Sequence, residues 1–291
     1  MAPHRTEGAP ADVDVFISID MEGVAGVTTL RQTYRGTDDY AWARELMTEE
    51  ANAAIAGAFD AGIDRIVVSD SHGDMGNLLP HKLDQRAELA QGTPKIPYSM
   101  MSGIETGFLC ALFLGYHAGA GTQGAILDHT YTGFFIDVRV NGESWNETHL
   151  NAALAGTFGV PVALVVGDRA CCEQAAARLE GVRTLSVKEG YGYTSGRSQS
   201  PELARTLIRA ASQEAIRQAG DLRPFQPRPP YTLEVDVLNT RIADVACLQL
   251  RTERPAPRTL RLETDDVREM YQVLLSWMTL GNTVAPGYRI E

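Results

Sequence analysis

Two acidic side chains directly follow an apolar run near the amino terminus of the 291-residue chain. The run covers residues 15–19, Asp20 comes next, and Glu22 precedes a glycine at position 23. β-Branched and aromatic residues in such a run predict a buried strand, so both acids lie where the strand gives way to its loop. Residues i and i+2 of an extended segment point to the same side, which lets Asp20 and Glu22 face one point. Two close carboxylates repel each other unless a proton or a cation lies between them.

Two of the six histidines lie at equivalent positions, because His72 follows the apolar run 65–70 and His117 follows the run 108–115. If these runs are neighbouring strands, their side chains meet at the carboxyl edge of one sheet. Carboxylate oxygen with imidazole nitrogen is the ligand set of zinc and similar divalent ions, and a carboxylate such as Asp20 can bridge two of them. Taken singly, each feature has an ordinary alternative: an Asp-x-Glu turn, a loop cap at His72 and a hydrogen-bonded core residue at His117.

Glu147 begins a predicted helix and offers one more oxygen ligand to the same centre. The alternative is an acid that stabilises the helix dipole, which is the commoner use of a glutamate in a first turn. His149, two residues further on, is either a substitute ligand or a hydrogen-bond partner of a ligand, and the alternative is a histidine on the helix surface or in a pocket. Asp70, which precedes His72 by two residues, is a candidate to orient an imidazole, as carboxylates beside metal ligands often do.

Alternating strand and helix patterns position these residues. Apolar runs predict strands at 15–19, 65–70, 108–115, 134–140, 162–166 and 184–187, and helical periodicity predicts helices at 40–61, 147–158, 170–179 and 201–219. This order predicts an α/β fold with a mostly parallel sheet flanked by helices. Asn141 and Gly142 predict a two-residue hairpin turn, and the glycine- and serine-rich residues 189–200 predict a loop.

The composition changes near residue 223, where four prolines fall between positions 224 and 230. Strand and helix patterns follow, with few candidate catalytic groups. We therefore expect a flexible tail at residues 1–12, an α/β metal-binding catalytic lobe at 13–222, and a smaller α+β lobe at 223–291 that packs against it or oligomerises.

Bulk properties restrict the partners. A formal charge of −11, from 26 basic and 37 acidic residues, argues against nucleic acid and against anionic membranes as partners. The four cysteines lack zinc-knuckle spacing, and the adjacent pair at 171–172 suits neither a normal disulfide nor a redox site. The amino terminus has no apolar signal segment, and no run reaches the ~18 apolar residues of a membrane span. These features predict a cytoplasmic protein.

Five segments resemble, in the same order and at closely similar spacings, the motifs of the bacterial zinc-dependent D-aminopeptidases of the dipeptide-transport type. They are Ser18–Gly23, Ser69–His72, Leu114–Ala118, Asp128–Thr130 and Glu147–Ala153. The resemblance extends from about residue 15 to residue 200, and more weakly to the carboxyl terminus. Five separated motifs in register are far more specific than any one of them.

The resemblance implies a centre of two Zn²⁺ ions per subunit, with another divalent metal as the alternative. Asp20 would bridge the ions; the other ligands would be Glu22, His72, His117 and Glu147. His129 matches the catalytic histidine of the family, as proton donor or as stabiliser of the oxyanion. The implied substrates are short peptides with an N-terminal D-amino acid. The implied assembly is a homo-oligomer, a ring-shaped homodecamer that encloses the active sites, although a dimer fits the composition equally well.

Two segments depart from the family pattern, namely the glycine-rich loop between His117 and His129 and residues 189–197. Both are candidates to line the substrate pocket, so substrate choice is the property least transferable by resemblance. A dinuclear hydrolase acting on L- or γ-linked peptides is the alternative enzyme. A non-catalytic metal-containing peptide-binding protein is the alternative from another class. A nucleotide-binding protein is disfavoured, because no strand is followed by a G-x-G-x-x-G segment or a P-loop.

Overall fold

Strands and helices alternate along residues 14–285, the part of the chain that the computed structural model describes. The strands are β1 Asp14–Ile19, β2 Arg65–Asp70, β3 Glu88–Ala90, β4 Cys110–Tyr116, β5 Phe135–Val140, β6 Glu143–Ser144, β7 Val162–Asp168, β8 Arg183–Gly192, β9 Ser195–Ser198, β10 Tyr231–Val237, β11 Glu253–Ala256 and β12 Thr259–Thr264. The helices are α1 Leu30–Thr33, α2 Asp38–Asp60, α3 Glu147–Thr157, α4 Arg169–Arg178, α5 Pro201–Gln218, α6 Thr240–Ala246 and α7 Val267–Asn282. The predicted tail at residues 1–12 lies outside this range.

The main sheet has the strand order β3-β2-β1-β4-β7-β8-β9 and is parallel except for the last pair, β8 and β9. Its central strands β1, β4 and β7 are buried along their whole length, as expected of parallel strands covered on both faces. The side chains of alternate β1 residues point to opposite faces of the main sheet. Val15, Ile17 and Ile19 pack with α2 and α5, whereas Phe16 belongs to the core that contains α3 and α7. The predicted α/β class with a mostly parallel sheet is confirmed.

The chain reverses its direction of winding next to β1. It continues from β1 through α2 to β2 and β3 on one side, and then returns to place β4 on the other side of β1. In open α/β sheets the crevice at such a switch point, outside the carboxyl ends of the strands, is the place where ligands bind. The loops that follow β1, β2 and β4 all open into this crevice.

A second sheet has the order β11-β12-β10-β5-β6 and its pairs are antiparallel. β5 and β6 form the hairpin predicted at residues 141–142, where both residues have positive φ. This sheet takes strands from both sides of residue 222, because β5 pairs with β10. The division into two lobes at that residue stays a prediction. No helix within residues 14–285 combines the length and the apolar character that crossing a bilayer requires.

The loop prediction for residues 189–200 is wrong. β8 runs on to Gly192 and β9 returns from Ser195, so most of this segment forms an antiparallel hairpin. Its glycines mark a close approach of backbones and not a loop. A Cβ atom added at Gly190 would lie 2.2 Å from the carbonyl oxygen of Gly124. The short strands β3 and β11 are further elements that the sequence pattern does not predict.

Gly115 brings the ends of β1 and β4 together beneath the crevice. Its φ of +63° is one that glycine adopts without strain, and a Cβ atom there would lie 2.1 Å from the carbonyl oxygen of Asp20. We expect Gly115→Ala to destabilise the fold by about 2–4 kcal/mol, since the collision is with backbone that cannot rotate away. Denaturant unfolding measures this loss.

Gly62→Ala is the matched control for that variant. Gly62 also has positive φ, at +88°, but no atom lies within 4 Å of a Cβ atom placed there. It should therefore cost only the backbone strain, about 1 kcal/mol. Equal losses in the two variants would show that the close approach at Gly115 does not contribute.

Candidate metal centre

The first group of candidate ligands joins the ends of β1 and β2. Asp20 directly follows β1, and Glu22 lies two residues beyond it. His72 lies two residues after β2, and its Nδ1 atom is 2.9 Å from Glu22 Oε2 and 3.2 Å from Asp20 Oδ1. All three side chains are buried. The two acids therefore do face one point, but Glu22 lies in a turn after β1, so the turn and not the alternation of an extended segment brings it there.

The second group joins β4 to the beginning of α3. His117 directly follows β4, and Glu147 is the first residue of α3. His117 Nε2 lies 3.4 Å from Asp20 Oδ2 and 3.4 Å from Glu147 Oε1. Asp20 thus presents one carboxylate oxygen to each group, and the five side chains form one continuous cluster.

Backbone carbonyl groups orient the imidazoles. His72 Nε2 lies 2.8 Å from the carbonyl oxygen of Thr33, and His117 Nδ1 lies 3.0 Å from that of Ala118. A carbonyl oxygen only accepts hydrogen bonds, so these ring nitrogens carry the proton in the neutral imidazole. The opposite nitrogen of each ring then presents its lone pair to the carboxylates. Metal-binding histidines are usually held in this manner.

The donor set fits a divalent cation. His117 Nε2 is fully buried and has no hydrogen-bond partner among the residues described, although two carboxylate oxygens lie nearby. A buried polar atom of this kind is costly unless something binds it. The ligand atoms of Asp20, Glu22 and His72 lie within 4.8 Å of one another, and so do those of His117, His129 and Glu147. Oxygen and nitrogen ligands in this number suit zinc.

The pKa values of the cluster reflect its surplus of negative charge. Burial and the nearby Glu22 carboxylate raise the pKa of Asp20. Burial alone would lower the pKa of His72 and of His117, but the carboxylates beside each ring raise it well above its usual value. The three buried carboxylates therefore stabilise positive charge beside them, either as protonated imidazole rings or as a bound cation.

His129 lies against the second group. Its ring stacks on that of His117, with centroids 4.1 Å apart and 9° between the planes, and its Nε2 lies 3.9 Å from Glu147 Oε1. Its Nδ1 is 2.9 Å from the carbonyl oxygen of Leu127, so Nε2 is the nitrogen that faces the cluster. The side chain is partly exposed, unlike those of the five buried residues.

Glu147 contacts the cluster although it stands in the first turn of a helix. The helix is capped by Asn146, whose side-chain oxygen accepts a hydrogen bond from the backbone N–H of His149. Glu147 Oε1 accepts one from the backbone N–H of Tyr131 at 2.6 Å and faces His117. The carboxylate is therefore directed at the candidate ligands, whatever it adds to the helix dipole.

Two other candidate residues near the centre have different partners. His149 accepts a hydrogen bond from the Asn146 backbone at Nδ1 and donates one from Nε2 to the Gln174 carbonyl oxygen, so it is a buried pocket histidine and not a substitute ligand. Asp70 does not orient an imidazole. Its carboxylate accepts hydrogen bonds from the backbone N–H groups of Asn77 and Leu78, and Thr33 takes the expected place beside His72.

Lys188 and Glu50 support the loop that carries Glu22, a role that the sequence pattern does not indicate. The ammonium group of Lys188 donates hydrogen bonds to three backbone carbonyls of this loop, those of Glu22, Val24 and Val27. Glu50 Oε1 accepts a hydrogen bond of 2.9 Å from the backbone N–H of Ala25. Lys188 lies within β8, and a lysine in a strand gives no indication in the sequence of such a contact.

Glu50 makes the stability of the chain depend on pH. Burial raises its pKa from 4.5 to about 7, and its Oε2 has no hydrogen-bond partner within the described part of the chain. The folded chain thus binds this proton more tightly than the unfolded chain, so stability falls as the pH rises from about 4.5 to 7. We expect Glu50→Gln, which keeps an acceptor for Ala25, to stabilise the metal-free protein by on the order of 2 kcal/mol at pH 8 and far less at pH 5.

Denaturant unfolding at the two pH values, with chelator present, tests this expectation. Glu49→Gln is the matched control, because Glu49 is the exposed neighbour on the same helix and pairs with Arg205 at the surface. A gain from Glu50→Gln that does not change between pH 5 and pH 8 would contradict the expected ionisation.

A cavity of about 360 Å³ lies over the cluster. Its wall includes Asp20, Glu22, His72, His129 and Glu147, with Met100, Tyr131, Tyr193 and Met278 among the larger neighbours. Tyr193 comes from the turn between β8 and β9, so the segment at 189–197 does contribute to this wall. The glycine-rich part of the other divergent loop does not. Gly119 and Ala120 line a separate cavity of about 240 Å³.

Comparisons with known proteins identify the family of the chain. The sequence model of a family described as D-aminopeptidase matches residues 13–276. The chain is 34% identical over 262 residues to the D-aminopeptidase of Bacillus subtilis (strain 168), covering 90% of this chain and 95% of that protein. It is also similar to a solved structure described as the Zn-dependent D-aminopeptidase DppA from Bacillus subtilis, a self-compartmentalizing protease. That match has a TM-score of 0.89 at 32% identity, over 94% of this chain and 99% of the other. The resemblance carried by the five motifs is thus confirmed, and the chain belongs to the D-aminopeptidase family.

Proposed function

We propose that this protein removes an N-terminal D-amino acid from short peptides, using two Zn²⁺ ions held at the carboxyl edge of the main sheet. The observation that carries the proposal is the position of Asp20, whose two carboxylate oxygens face two separate groups of ligands. A bridging carboxylate between two such groups is the arrangement that a two-metal hydrolytic centre needs. The similarity to a Zn-dependent relative supports zinc as the metal.

The ligands divide between the ions according to their distances. One ion would be held by Asp20, Glu22 and His72, and the other by Asp20, His117 and Glu147. Zinc bound in this way lowers the pKa of water and polarises a carbonyl group, which supplies a nucleophile near neutral pH. The protein contributes the fixed positions of the ligands: Thr33 and Ala118 fix the two rings, and Tyr131 fixes the Glu147 carboxylate.

His129 is the proposed catalytic residue. Its Nδ1–H is held by the Leu127 carbonyl oxygen, so the ring cannot turn freely and Nε2 stays directed at the cluster. In the protonated state Nε2–H can donate a proton to the leaving amine or a hydrogen bond to the oxyanion. Its partial exposure, next to ligands that are buried, supports contact with the substrate.

The cavity favours small substrates with a free amino group. A volume of about 360 Å³ lies near the lower end for small-molecule sites. Zinc held by Asp20, Glu22 and Glu147 would offer a coordination position to the neutral amino group of an unblocked peptide. An acetylated amino terminus lacks this basic nitrogen.

A panel of three dipeptides tests the proposed activity on zinc-loaded enzyme. We expect hydrolysis of D-alanyl-D-alanine, weaker hydrolysis of L-alanyl-L-alanine, and none of N-acetyl-D-alanyl-D-alanine. Preference for the L,L peptide would assign an L-specific peptidase activity to the same centre. Cleavage of the acetylated peptide would exclude an aminopeptidase. Tight binding of the peptides without any hydrolysis would favour a non-catalytic peptide-binding protein.

We also propose that the chain works as a homo-oligomer in the cytoplasm, assembled as a ring-shaped homodecamer. The description of the Bacillus subtilis relative as a self-compartmentalizing protease supports an assembly that encloses its active sites. All four cysteines are free, which supports a reducing compartment. Light scattering coupled to size exclusion measures the subunit number, and a monomer or dimer at micromolar concentration would contradict the decamer.

A further inference from the structure

The wall of the 360 Å³ cavity has an uneven charge distribution. Four acidic residues line it, namely Asp20, Glu22, Asp74 and Glu147. Among its described residues, Arg35 is the only arginine or lysine. Three of these acids are proposed zinc ligands and the fourth, Asp74, pairs with Arg35, so Arg35 is the basic side chain of this wall that can meet a negative group on the ligand away from the metal centre. A peptide with a free amino terminus carries such a group at its other end.

The guanidinium group of Arg35 is held in place and still has hydrogen-bond donors to spare. Its Nη2 atom donates to Asp74 Oδ1 at 3.0 Å and to the carbonyl oxygen of Gly76 at 3.1 Å, and its Cζ lies 5.9 Å from the centroid of the Tyr40 ring. Both hydrogen bonds leave from Nη2. Nε and Nη1 make none with the residues that the structure describes. These two atoms lie on different edges of the planar group, so each can donate a single charge-assisted hydrogen bond to a carboxylate.

Arg35 lies on the same segments of chain as the metal centre. The Thr33 carbonyl oxygen contacts His72, and Arg35 follows two residues later. Asp74, which holds the guanidinium, likewise lies two residues after His72. In a dipeptide the carboxyl group is one residue, roughly 3.5 Å, beyond the scissile carbonyl. A dipeptide with its scissile carbonyl at the metal centre therefore has its carboxyl terminus inside the cavity that Arg35 lines.

We propose that Arg35 forms a carboxylate-binding subsite, which recognises the free carboxyl terminus of dipeptides and so favours them over blocked or longer peptides. The proposal rests on the peptidase function proposed above. Asp74 positions the guanidinium, and Nη1 or Nε donates a hydrogen bond to the carboxylate. The competing interpretation is an exposed ion pair without a role in binding, because the Arg35 and Asp74 side chains are 55% and 50% exposed and such pairs contribute little to stability.

The test compares D-alanyl-D-alanine with its carboxyl-terminal amide, D-alanyl-D-alaninamide, on zinc-loaded enzyme. Arg35→Gln should raise KM for the free acid at least tenfold, the usual scale for losing hydrogen bonds to a charged group, and should leave kcat within about twofold. The same variant should change KM for the amide by less than about twofold. Arg35→Lys, which keeps the charge but loses the fixed direction of the guanidinium donors, should be intermediate for the free acid.

Arg31→Gln is the matched control, since Arg31 makes a similar exposed ion pair, with Asp39 at 3.0 Å, but does not line the cavity. Zinc content is measured for every variant. The subsite is overturned if Arg35→Gln keeps the wild-type ratio of kcat/KM for acid and amide, or if it loses zinc, which would make Arg35 a support of the His72 loop. If wild-type enzyme cleaves neither dipeptide nor amide, the peptidase function itself is wrong and the subsite with it.

Discussion

Replacing Asp20 by alanine is expected to remove both zinc ions and to reduce peptide hydrolysis below detection. Asp20 Oδ1 lies 3.2 Å from His72 Nδ1, and Oδ2 lies 3.4 Å from His117 Nε2, so each proposed metal position loses a ligand when this side chain is deleted. No other single residue of the cluster faces both groups in this way. Ligand loss at either position alone would leave one ion in place.

Elemental analysis of protein purified without chelator measures the effect. Wild-type protein should contain about two zinc ions per chain, and Asp20→Ala close to none. Asp39→Ala is a suitable control, because Asp39 is an exposed partner of Arg31 and does not line the cavity. Circular dichroism shows whether the variant is folded. A folded Asp20→Ala protein with two retained ions would disprove the bridging role.

Replacing His129 by alanine should leave the zinc content at the wild-type value and lower kcat by roughly 10²-fold or more, the usual effect of losing one proton donor or oxyanion donor. The side chain stacks on His117 and is partly exposed, while the five proposed ligands are buried. We therefore expect it to act on the substrate and not to hold a metal. Steady-state kinetics and metal analysis of the same preparation separate these roles.

His129→Gln distinguishes the two catalytic roles of the residue. An amide group can donate a hydrogen bond to an oxyanion but cannot transfer a proton, so recovery of much of the lost kcat would assign oxyanion stabilisation. No recovery would assign proton donation to the leaving amine. His81→Ala serves as the control, because His81 does not line the cavity. Loss of about one zinc ion from His129→Ala would instead make this residue a ligand, as its distance of 3.9 Å from Glu147 allows.

Much of the main sheet is predictable from local pattern. The runs that form β1, β2, β4 and β7 are nearly uninterrupted apolar segments, because parallel strands covered on both faces have no polar side. The first polar residues after such runs necessarily lie at strand ends. For this reason the sequence alone is sufficient to nominate Asp20, His72 and His117 as ligands.

Other features escape prediction because their cause lies in distant parts of the chain. Local pattern predicts a loop where β8 and β9 form a hairpin, since the glycines there reflect the approach of the backbone at Gly124. Asp70 lies two residues before His72, and this proximity in sequence suggests that it orients the imidazole. In the structure its carboxylate instead accepts hydrogen bonds from the backbone N–H groups of Asn77 and Leu78. The actual partner of His72 Nε2 is the backbone carbonyl oxygen of Thr33. Every residue has a backbone carbonyl group, so the sequence does not indicate which one makes the contact.

The sequence by itself determined the types of the candidate ligands, carboxylate and imidazole, and their positions directly after apolar runs. Both are local properties, so they can be recognised without any knowledge of packing. The tertiary structure decided which of those side chains meet. The order of β2, β1 and β4 sets Asp20 between His72 and His117, and three backbone carbonyls select the ring nitrogen that each histidine presents. Strand order and loop path are products of long-range packing, so they appear only when the chain is folded.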